Sequence, residues 1–316
     1  MSAACAYCIV AVLGAAAPAH GQRARSAHLE SELSARSAAL QGAFAADDGD
    51  ALDIFRAPCT ALTGDGWRLG ASYVRALFDT SAQGLAASHA GALLGIGGGL
   101  LAAQTAGVED TDALGRTIGT VPVFDSAGLL TVAARLGSHA TGGVSAKGFL
   151  SRIGSLSTTG VAFDAELRYR LDAPWGDTRA SPDDRRIDVA ALLRNVGVQG
   201  AFVRTGDPLP SAFAVSAIAR APIGPALRAS LGILAERMLD LREPFRAAGA
   251  VEIGYAEWVA VRFGYRLDET MNRWSAGVGF SFGGLRLDYA LRPFAELGPT
   301  HRLSLSYALP AGSPGH

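Results

Sequence analysis

The sequence predicts an all-β protein, a transmembrane antiparallel β-barrel of about 14 strands with a short N-terminal helical plug. Apolar and polar residues alternate along much of the chain, as they do on strands whose two faces meet different surroundings. Only 18% of the 316 residues are charged, and the mean hydropathy is +0.22. Soluble domains carry more charge. Past residue 20, no stretch is apolar enough for a membrane-spanning helix.

The N-terminus has features of an export signal. Residues 3–19 are almost continuously apolar and end in Ala17–Ala19, which fits the small-x-small cleavage rule. The first positive residue is Arg23, so the usual basic start is missing. We predict a signal peptide at 1–19, with a buried N-terminal helix as the alternative. Its removal would leave Cys59 as the only cysteine, which excludes an intramolecular disulfide.

Residues 20–65 are predicted to form a plug or hatch inside the barrel. From Ser34 to Asp47 the small residues form a short helical pattern, and acidic turns follow. A barrel of about 14 strands has a backbone diameter of roughly 28 Å, which small lumen side chains cannot fill. We therefore expect the plug to fill this space only partly and to leave an apolar gap beside the inner wall. The candidate plug residues are Leu40, Phe44, Ile54, Phe55 and Pro58.

The barrel is predicted to span residues 66–310, followed by a tail at 311–316. The clearest alternation marks strands at 245–255, 257–266, 274–282, 285–291 and 303–309. Less regular alternation marks strands near 67–78, 80–90, 91–103, 130–136, 142–152, 167–171, 187–194, 211–220 and 227–233. Most segments are close to the 9–11 residues that cross a bilayer when tilted. Short connections alternate with longer, more charged ones, as periplasmic turns alternate with external loops.

The chemistry of the two strand faces favours a membrane barrel over a soluble sandwich. One face is largely Gly, Ser and Ala with scattered charges, which suits a confined lumen. The other is aliphatic, with aromatic residues near segment ends at Trp67, Tyr255, Trp258, Tyr265, Trp274 and Tyr307. Transmembrane barrels have such apolar bands and aromatic girdles. We therefore expect contact with outer-membrane lipid and a location in the bacterial outer membrane.

Charged residues recur on the predicted lumen face of the last five strands. They are Arg246, Glu252, Arg262, Arg266, Arg286 and Asp288. The preferred interpretation is mutual ion pairing that supports the wall. The alternative is a ligand site, because a guanidinium binds a carboxylate through two parallel hydrogen bonds and could therefore hold the head of a fatty acid.

Other kinds of site have little support in the sequence. The glycine run at 95–99 lacks the spacing and the lysine of a nucleotide loop. The six histidines form no metal-binding pair, and no serine motif or acidic partner accompanies His301. A net charge of −1 without a basic run argues against nucleic acid. We predict no enzyme activity, no cofactor and no metal, and the sequence identifies no protein partner.

Three stretches carry a family resemblance. Residues 34–48 are similar to the motif A-R-x-x-A-[LM]-G-G-A-F-x-A-x-A-D, and Pro58 is the residue retained from the Asn-Pro-Ala-Gly that follows it. Residues 193–197 with 208–210 resemble N-[LI]-G…L-P, with Val196 at the variable position, and residues 287–291 with 297–304 match D-Y-A-[FL]…L-G-x-T-H-R-[IL]-S. These are motifs of the FadL-type outer-membrane barrels. Within them, the chain resembles the PorV/PorQ-like proteins, including their uncharacterised spirochaetal members.

The resemblance implies two alternative functions. FadL-type barrels take up small hydrophobic molecules such as long-chain fatty acids, past a plug. PorV-type proteins instead act as outer-membrane interaction partners in protein secretion, without transport. The predicted external loops are short, which favours uptake with a fatty acid as the hydrophobic ligand.

Overall fold

A computed structural model describes residues 27–47, 49–112, 114–172, 185–202, 208–239, 245–268, 272–294 and 297–309. The predicted signal peptide at 1–19 and the predicted tail at 311–316 lie outside these residues. Within the described ranges, no helix combines the length and the apolar character needed to cross a membrane.

Fourteen antiparallel strands close into one barrel, which confirms the predicted fold class. Consecutive strands pair with each other, and β1 pairs with β14. The strands are β1 (Gly66–Arg75), β2 (Thr80–Ala90), β3 (Leu94–Thr111), β4 (Thr117–Arg135), β5 (Ala140–Ile153), β6 (Leu156–Asp172), β7 (Arg186–Gln199), β8 (Ala212–Pro222), β9 (Leu227–Met238), β10 (Phe245–Tyr255), β11 (Val259–Arg266), β12 (Trp274–Phe282), β13 (Leu285–Pro293) and β14 (Pro299–Ala308). Because the sheet is closed, no strand edge within the wall leaves its backbone groups unpaired. Lipid could not satisfy such groups.

Strands β3 and β4 are longer than predicted. They have 18 and 19 residues, whereas β11, β12 and β13 have 8 or 9. Pairing with β2 ends at Thr105, so the outer part of the hairpin stands beyond the barrel rim. Side chains at 106–110 and 114–120 are exposed on both faces of this hairpin. The apolar–polar alternation is absent there because both faces meet water, and the prediction of short external loops is wrong at this position.

Alternation sorts the side chains as predicted along the C-terminal strands. Arg262, Asp288 and Ser304 point inward and are at most 1% exposed. Their neighbours Val261 and Leu287 point outward and are 59% and 42% exposed. An apolar outer face around a closed barrel is the construction of an outer-membrane protein.

The predicted aromatic residues form two belts. Four of them, Trp67, Tyr255, Trp258 and Tyr307, lie at the end of the barrel where β1 begins and β14 ends. Tyr265 and Trp274 pair across β11 and β12 at the opposite end. The end that holds the first belt also has short turns, such as 256–258 and 283–284, and is assigned to the periplasm on that basis.

The N-terminal segment folds inside the barrel, and residues 27–62 are called the plug below. The plug contains a short helix, α1 (Ala35–Ala39), and 3-10 turns at Ala27–Glu30, Ala51–Phe55 and Pro58–Leu62. Ser34 caps α1, since its Oγ accepts a hydrogen bond from the Ser37 amide at 3.2 Å. The helix is built from small residues, so it lies directly against β11–β14.

Candidate functional site

Glycines in the lumen wall make room for the plug. A β-carbon on Gly95 would lie 2.5 Å from the carbonyl oxygen of Ala61. A β-carbon on Gly99 would lie 2.6 Å from the Phe55 ring, and one on Gly232 would lie 2.4 Å from the Phe44 ring. The plug thus occupies the space that larger side chains would need. The predicted apolar gap is absent where Phe44 and Phe55 meet the wall, so that expectation is corrected at these positions.

Serines on the same inner face hold the plug backbone. The Ala35 amide donates to Ser304 Oγ at 3.1 Å, while Ser275 Oγ donates to the Ala39 carbonyl at 2.7 Å. Ser216 Oγ donates to the Ala43 carbonyl at 2.9 Å. Each bond satisfies a buried polar group of the plug. The Gly- and Ser-rich strand face, which predicted a lumen, is therefore the surface against which the plug packs.

The five predicted plug residues divide between two sides of the barrel. Ile54 and Phe55 belong to an apolar cluster with residues of β1–β6, and Leu40 and Phe44 to a second cluster with residues of β7–β10. Pro58 lies against Gly143 on β5. The wall partners in the first cluster include Val74, Leu101, Leu129 and Phe149, and those in the second include Leu192, Ile218 and Leu234.

A short segment before β8, residues 208–211, is held against the interior at the external end of the barrel. Leu209 is buried in the first apolar cluster. Asn195, at a φ of 53°, donates from Nδ2 to the Pro210 carbonyl at 3.3 Å. Lys147, the only lysine of the chain, donates to Asn195 Oδ1 at 2.9 Å and pairs with Asp164 at 2.6 Å. Alternation alone predicts no role for this group, although the single lysine of the chain on a lumen face is an unusual feature of the sequence.

Four of the six predicted charged residues meet in one buried network. Arg262 donates to Glu252 Oε2 at 2.5 Å and to Asp288 Oδ1 at 2.7 Å. Arg286 Nε lies 2.8 Å from Asp288 Oδ2. The side chains of Arg262 and Asp288 are fully buried. The network neutralises its own arginines, so an incoming carboxylate would have to compete with Glu252 and Asp288.

The other two predicted arginines lie apart from this network. Arg246 pairs with Glu30 of the plug at 2.7 Å and with Glu236 at 3.4 Å. Arg266 pairs with Asp268 at 3.3 Å, at the external end of β11. Alternation placed all six side chains on one face, but only the strand register decides which of them meet.

A plug residue that the sequence analysis missed, Arg36, joins the buried network. Its Nε and Nη2 donate to Glu252 at 2.9 and 2.7 Å, and it also pairs with Asp47. Asp47 in turn pairs with Arg220 on β8. The Arg36 guanidinium lies 5.5 Å from the centre of the Phe44 ring. An arginine inside a helix of small residues was the available sequence signal.

A second charged attachment lies at Glu32. This carboxylate pairs with Arg292 and lies 3.8 Å from Arg56, and its backbone carbonyl accepts from Arg302 at 3.1 Å. Burial alone would raise the pKa of Glu32, but Arg292, Arg56 and Arg302 outweigh it and lower the pKa to about 2. The resulting stabilisation is present above the unfolded pKa, near 4.5, and is lost as the pH falls through about 2.

Cys59 and the metal-ligating residue types form no evident reactive site. In the part of the chain that the structure describes, no group of three or more His, Cys, Asp or Glu side chains is arranged to hold a metal. Cys59 is buried in the plug, and its amide donates to Glu166 Oε2 at 2.8 Å. Burial, together with the nearby Glu166 charge, raises the pKa of the thiol, which keeps it protonated and unreactive.

Adding one methyl group to the plug seat should loosen the plug. A β-carbon on Gly143 would lie 2.9 Å from both the Cys59 nitrogen and Pro58 Cβ, and the backbone cannot yield freely. We expect Gly143→Ala to destabilise plug seating by about 1–3 kcal/mol, as overpacking does elsewhere. Gly148→Ala on the same strand is the control, because nothing lies within 4 Å of its β-carbon. Limited proteolysis of the plug should distinguish them, and equal cleavage rates would contradict this fit.

Two solved barrels share this architecture. The CymD monoaromatic hydrocarbon channel has a TM-score of 0.57 at 10% identity, over 89% of this chain and 98% of that one. The Ralstonia pickettii toluene transporter TbuX has a TM-score of 0.52 at 13% identity, over 86% and 96%. No protein-family model matches the sequence, and no curated protein matches it.

At such low identity, the comparisons show the fold alone. At the level of the fold, the two neighbours support the predicted outer-membrane barrel. Membership of the PorV/PorQ-like group, with its spirochaetal members, stays a prediction.

Proposed function

We propose that this protein admits small hydrophobic molecules through the outer membrane. The observation that carries the proposal is that a plug fills the lumen and that one side of this plug packs against the wall through apolar side chains. Leu33, Leu52 and Phe55 of the plug are at most 6% exposed, and they pack with Leu101 and Phe149 of the wall. An open pore for polar solutes needs a water-filled lumen. On this side the interior is packed with apolar side chains instead, and their surface becomes accessible only when the plug moves.

The two structural neighbours support the same substrate class. One is described as a monoaromatic hydrocarbon channel and the other as a toluene transporter. Long-chain fatty acids are the finer proposal, since their tails suit the apolar cluster. Their carboxylates would need a cation, and Arg286 is the network arginine with the greatest exposure, at 28% of its side chain.

Uptake by this route requires the plug to move. Glycines, serines and ion pairs fix it to the wall in the described state, but Cys59 is a free cysteine and makes no covalent link. Movement of the plug can therefore be tested by adding a covalent link between the plug and the wall. The Ala35 amide donates to Ser304 Oγ at 3.1 Å, so these two positions adjoin across the contact between plug and wall, and cysteines introduced at both can be tested for an oxidative cross-link.

Uptake should be measured with radiolabelled toluene, oleate and glucose, in a deletion strain with and without the gene. Hydrophobic uptake predicts faster entry of toluene, of oleate or of both when the gene is present, with glucose unchanged. Entry of toluene alone would narrow the substrate to hydrocarbons. Gene-dependent entry of glucose alone, or of none of the three, would overturn the proposal.

The locked variant then tests the route. Ala35→Cys with Ser304→Cys, in a Cys59→Ser background, should stop uptake when oxidised and recover when reduced. Either single cysteine variant is the matched control and should respond to neither treatment. Full uptake by the oxidised double variant would show that the molecules pass without displacement of α1.

One observation favours a second function, as an interaction partner of the PorV type. The β3–β4 hairpin extends past the rim and exposes Leu114 and Ile118 at 78% and 65%. Replacing residues 107–119 by a two-residue turn should leave uptake intact if the barrel acts alone. Loss of a co-purifying protein in this variant, with uptake absent in the wild type, would favour the interaction role.

A further inference from the structure

A cavity of about 460 Å³ opens at the periplasmic end of the barrel, around the Gly283–Gly284 turn. Cross-strand pairing places Ser281, Arg286 and Ser306 in one row on its inner side. Arg68 on β1 lies one inward-facing position nearer the rim than this row. The cavity thus combines groups from β1, β12, β13 and β14 that are far apart in sequence.

Two arginines line the inner side of the cavity. Arg286 Nε faces Asp288, but its Nη2 is 3.9 Å from Glu252, beyond hydrogen-bonding distance. Arg68 Nη2 donates to the Gly49 carbonyl at 2.5 Å, which fixes the guanidinium beside the plug. Glu257 is the acidic residue of the lining, and it pairs with Arg228 at 2.8 Å. The lining therefore carries two guanidinium groups and one carboxylate, and that carboxylate already has a partner in Arg228.

A buried hydroxyl in the cavity has no partner in the described structure. Ser306 is 8% exposed, and its Oγ makes no hydrogen bond to any described residue. Buried polar atoms of this kind almost always have a protein, water or ligand partner. Ser306 pairs across the sheet with Arg286, so its hydroxyl and that guanidinium border the same space.

The outer side of the cavity is apolar. Trp258, Phe282, Leu285 and Tyr307 line it, and Phe282 is 88% exposed. Aromatic residues at this level belong to the interfacial belt of a barrel. A molecule held here would meet cations at one end and an aromatic surface at the other.

We infer that this cavity binds the anionic head of an apolar-tailed molecule, a carboxylate or a phosphate. A guanidinium suits either head because it donates two parallel hydrogen bonds to oxygen anions. The cavity lies on the periplasmic side of the plug, at the level where Arg68 holds Gly49. If the cavity is a release site for an imported carboxylate, the inference rests on the proposed function. If it is a headgroup site for an inner-leaflet phospholipid, the inference is independent of the proposed function.

The carboxylate arm uses decanoate and its neutral counterpart decanol, titrated calorimetrically into the full-length protein in detergent at pH 7.5. Arg68→Gln should weaken decanoate binding by about 10-fold, the effect of losing one charged hydrogen-bond donor. Decanol binding should change by less than about twofold, because it offers no charge to the guanidinium. Arg135→Gln removes an exposed cation from the same rim outside the cavity and should alter neither.

A second variant guards against loss of structure. Arg286 also belongs to the buried network, so its replacement risks displacing the plug. Ser306→Ala removes only an unpartnered hydroxyl and should leave thermal stability unchanged while weakening decanoate binding several-fold. If Arg68→Gln and Ser306→Ala bind decanoate as the wild type does, the carboxylate arm is refuted.

The phospholipid arm uses native mass spectrometry of protein purified from membranes. A phospholipid retained by the wild type and by Arg135→Gln, but lost from Arg68→Gln, would identify a headgroup as the occupant. Failure in both arms would overturn the site. Toluene uptake separates the two proposals, because toluene has no charge to engage Arg68. Toluene uptake without anion binding would support the proposed function and refute the anion site. Anion binding without uptake of toluene or oleate would support the anion site and refute the proposed function.

Discussion

Replacing Arg36 with methionine is expected to release the plug from the wall. The Arg36 side chain is 7% exposed and pairs with Asp47 and Glu252, which are 5% and 14% exposed. Removing one partner of a buried ion pair typically costs 3–5 kcal/mol, because the remaining charge has neither water nor a counter-ion. Arg220 and Arg262 still compensate Asp47 and Glu252 in part. We therefore expect Arg36→Met to lower the free energy that holds the plug to the wall by about 3 kcal/mol.

The measurement is ion conductance through the variant in planar bilayers. A displaced plug leaves a wider, wetter lumen, so conductance should rise while the barrel stays folded. Arg116→Met is the matched control, since Arg116 pairs with Asp112 at 2.7 Å but is 73% exposed at the hairpin tip. Exposed pairs contribute at most about 1 kcal/mol. If both variants conduct as the wild type does, Arg36 does not hold the plug.

A double variant tests whether uncompensated charge is the cause. Glu252→Gln removes the carboxylate that Arg36→Met leaves short of a partner. The two changes together should cost less than the sum of the single changes, by more than about 0.5 kcal/mol for groups in direct contact. Strict additivity would mean that Arg36 acts through packing against Phe44 instead.

Placing arginine at Val261 is expected to block insertion of the barrel into membranes. Val261 lies in the middle of β11 and points outward with 59% exposure. Its cross-strand neighbours Ile253 and Val278 are also apolar. An arginine on the lipid face costs about 2–4 kcal/mol at the bilayer midplane. The folded fraction in liposomes, read from the heat-modifiable shift on gels, should fall accordingly.

The same substitution at Val108 provides the control. Val108 lies on β3 beyond the last residue paired with β2, in the part of the hairpin that stands past the rim. Arginine is acceptable there because water solvates it, so Val108→Arg should fold as the wild type does. Equal impairment of both variants would place the hairpin in lipid, whereas tolerance of Val261→Arg would mean that the strand faces are reversed.

The strand faces could be predicted from the sequence because each strand separates two media. Val261 and Arg262 differ in the surroundings that each prefers, and that difference recurs every two residues. The same rule failed for β3 and β4 outside the rim, where Val108 and Glu109 both meet water. Apolar–polar alternation therefore requires both a strand and different surroundings on its two faces, which the membrane provides.

The sequence by itself determined the barrel, its approximate strand number and the side of each residue within the membrane-spanning wall, since alternation and composition are local properties of the chain. The partners on the inner side depended on register and on the path of the plug. Arg262 and Arg246 share a face, yet only Arg262 meets Glu252 and Arg36. The small residues indicated an enclosed space, and only the tertiary structure showed that the plug fills it at Gly99 and Gly232. Contacts between residues some two hundred positions apart leave no periodic trace in the chain.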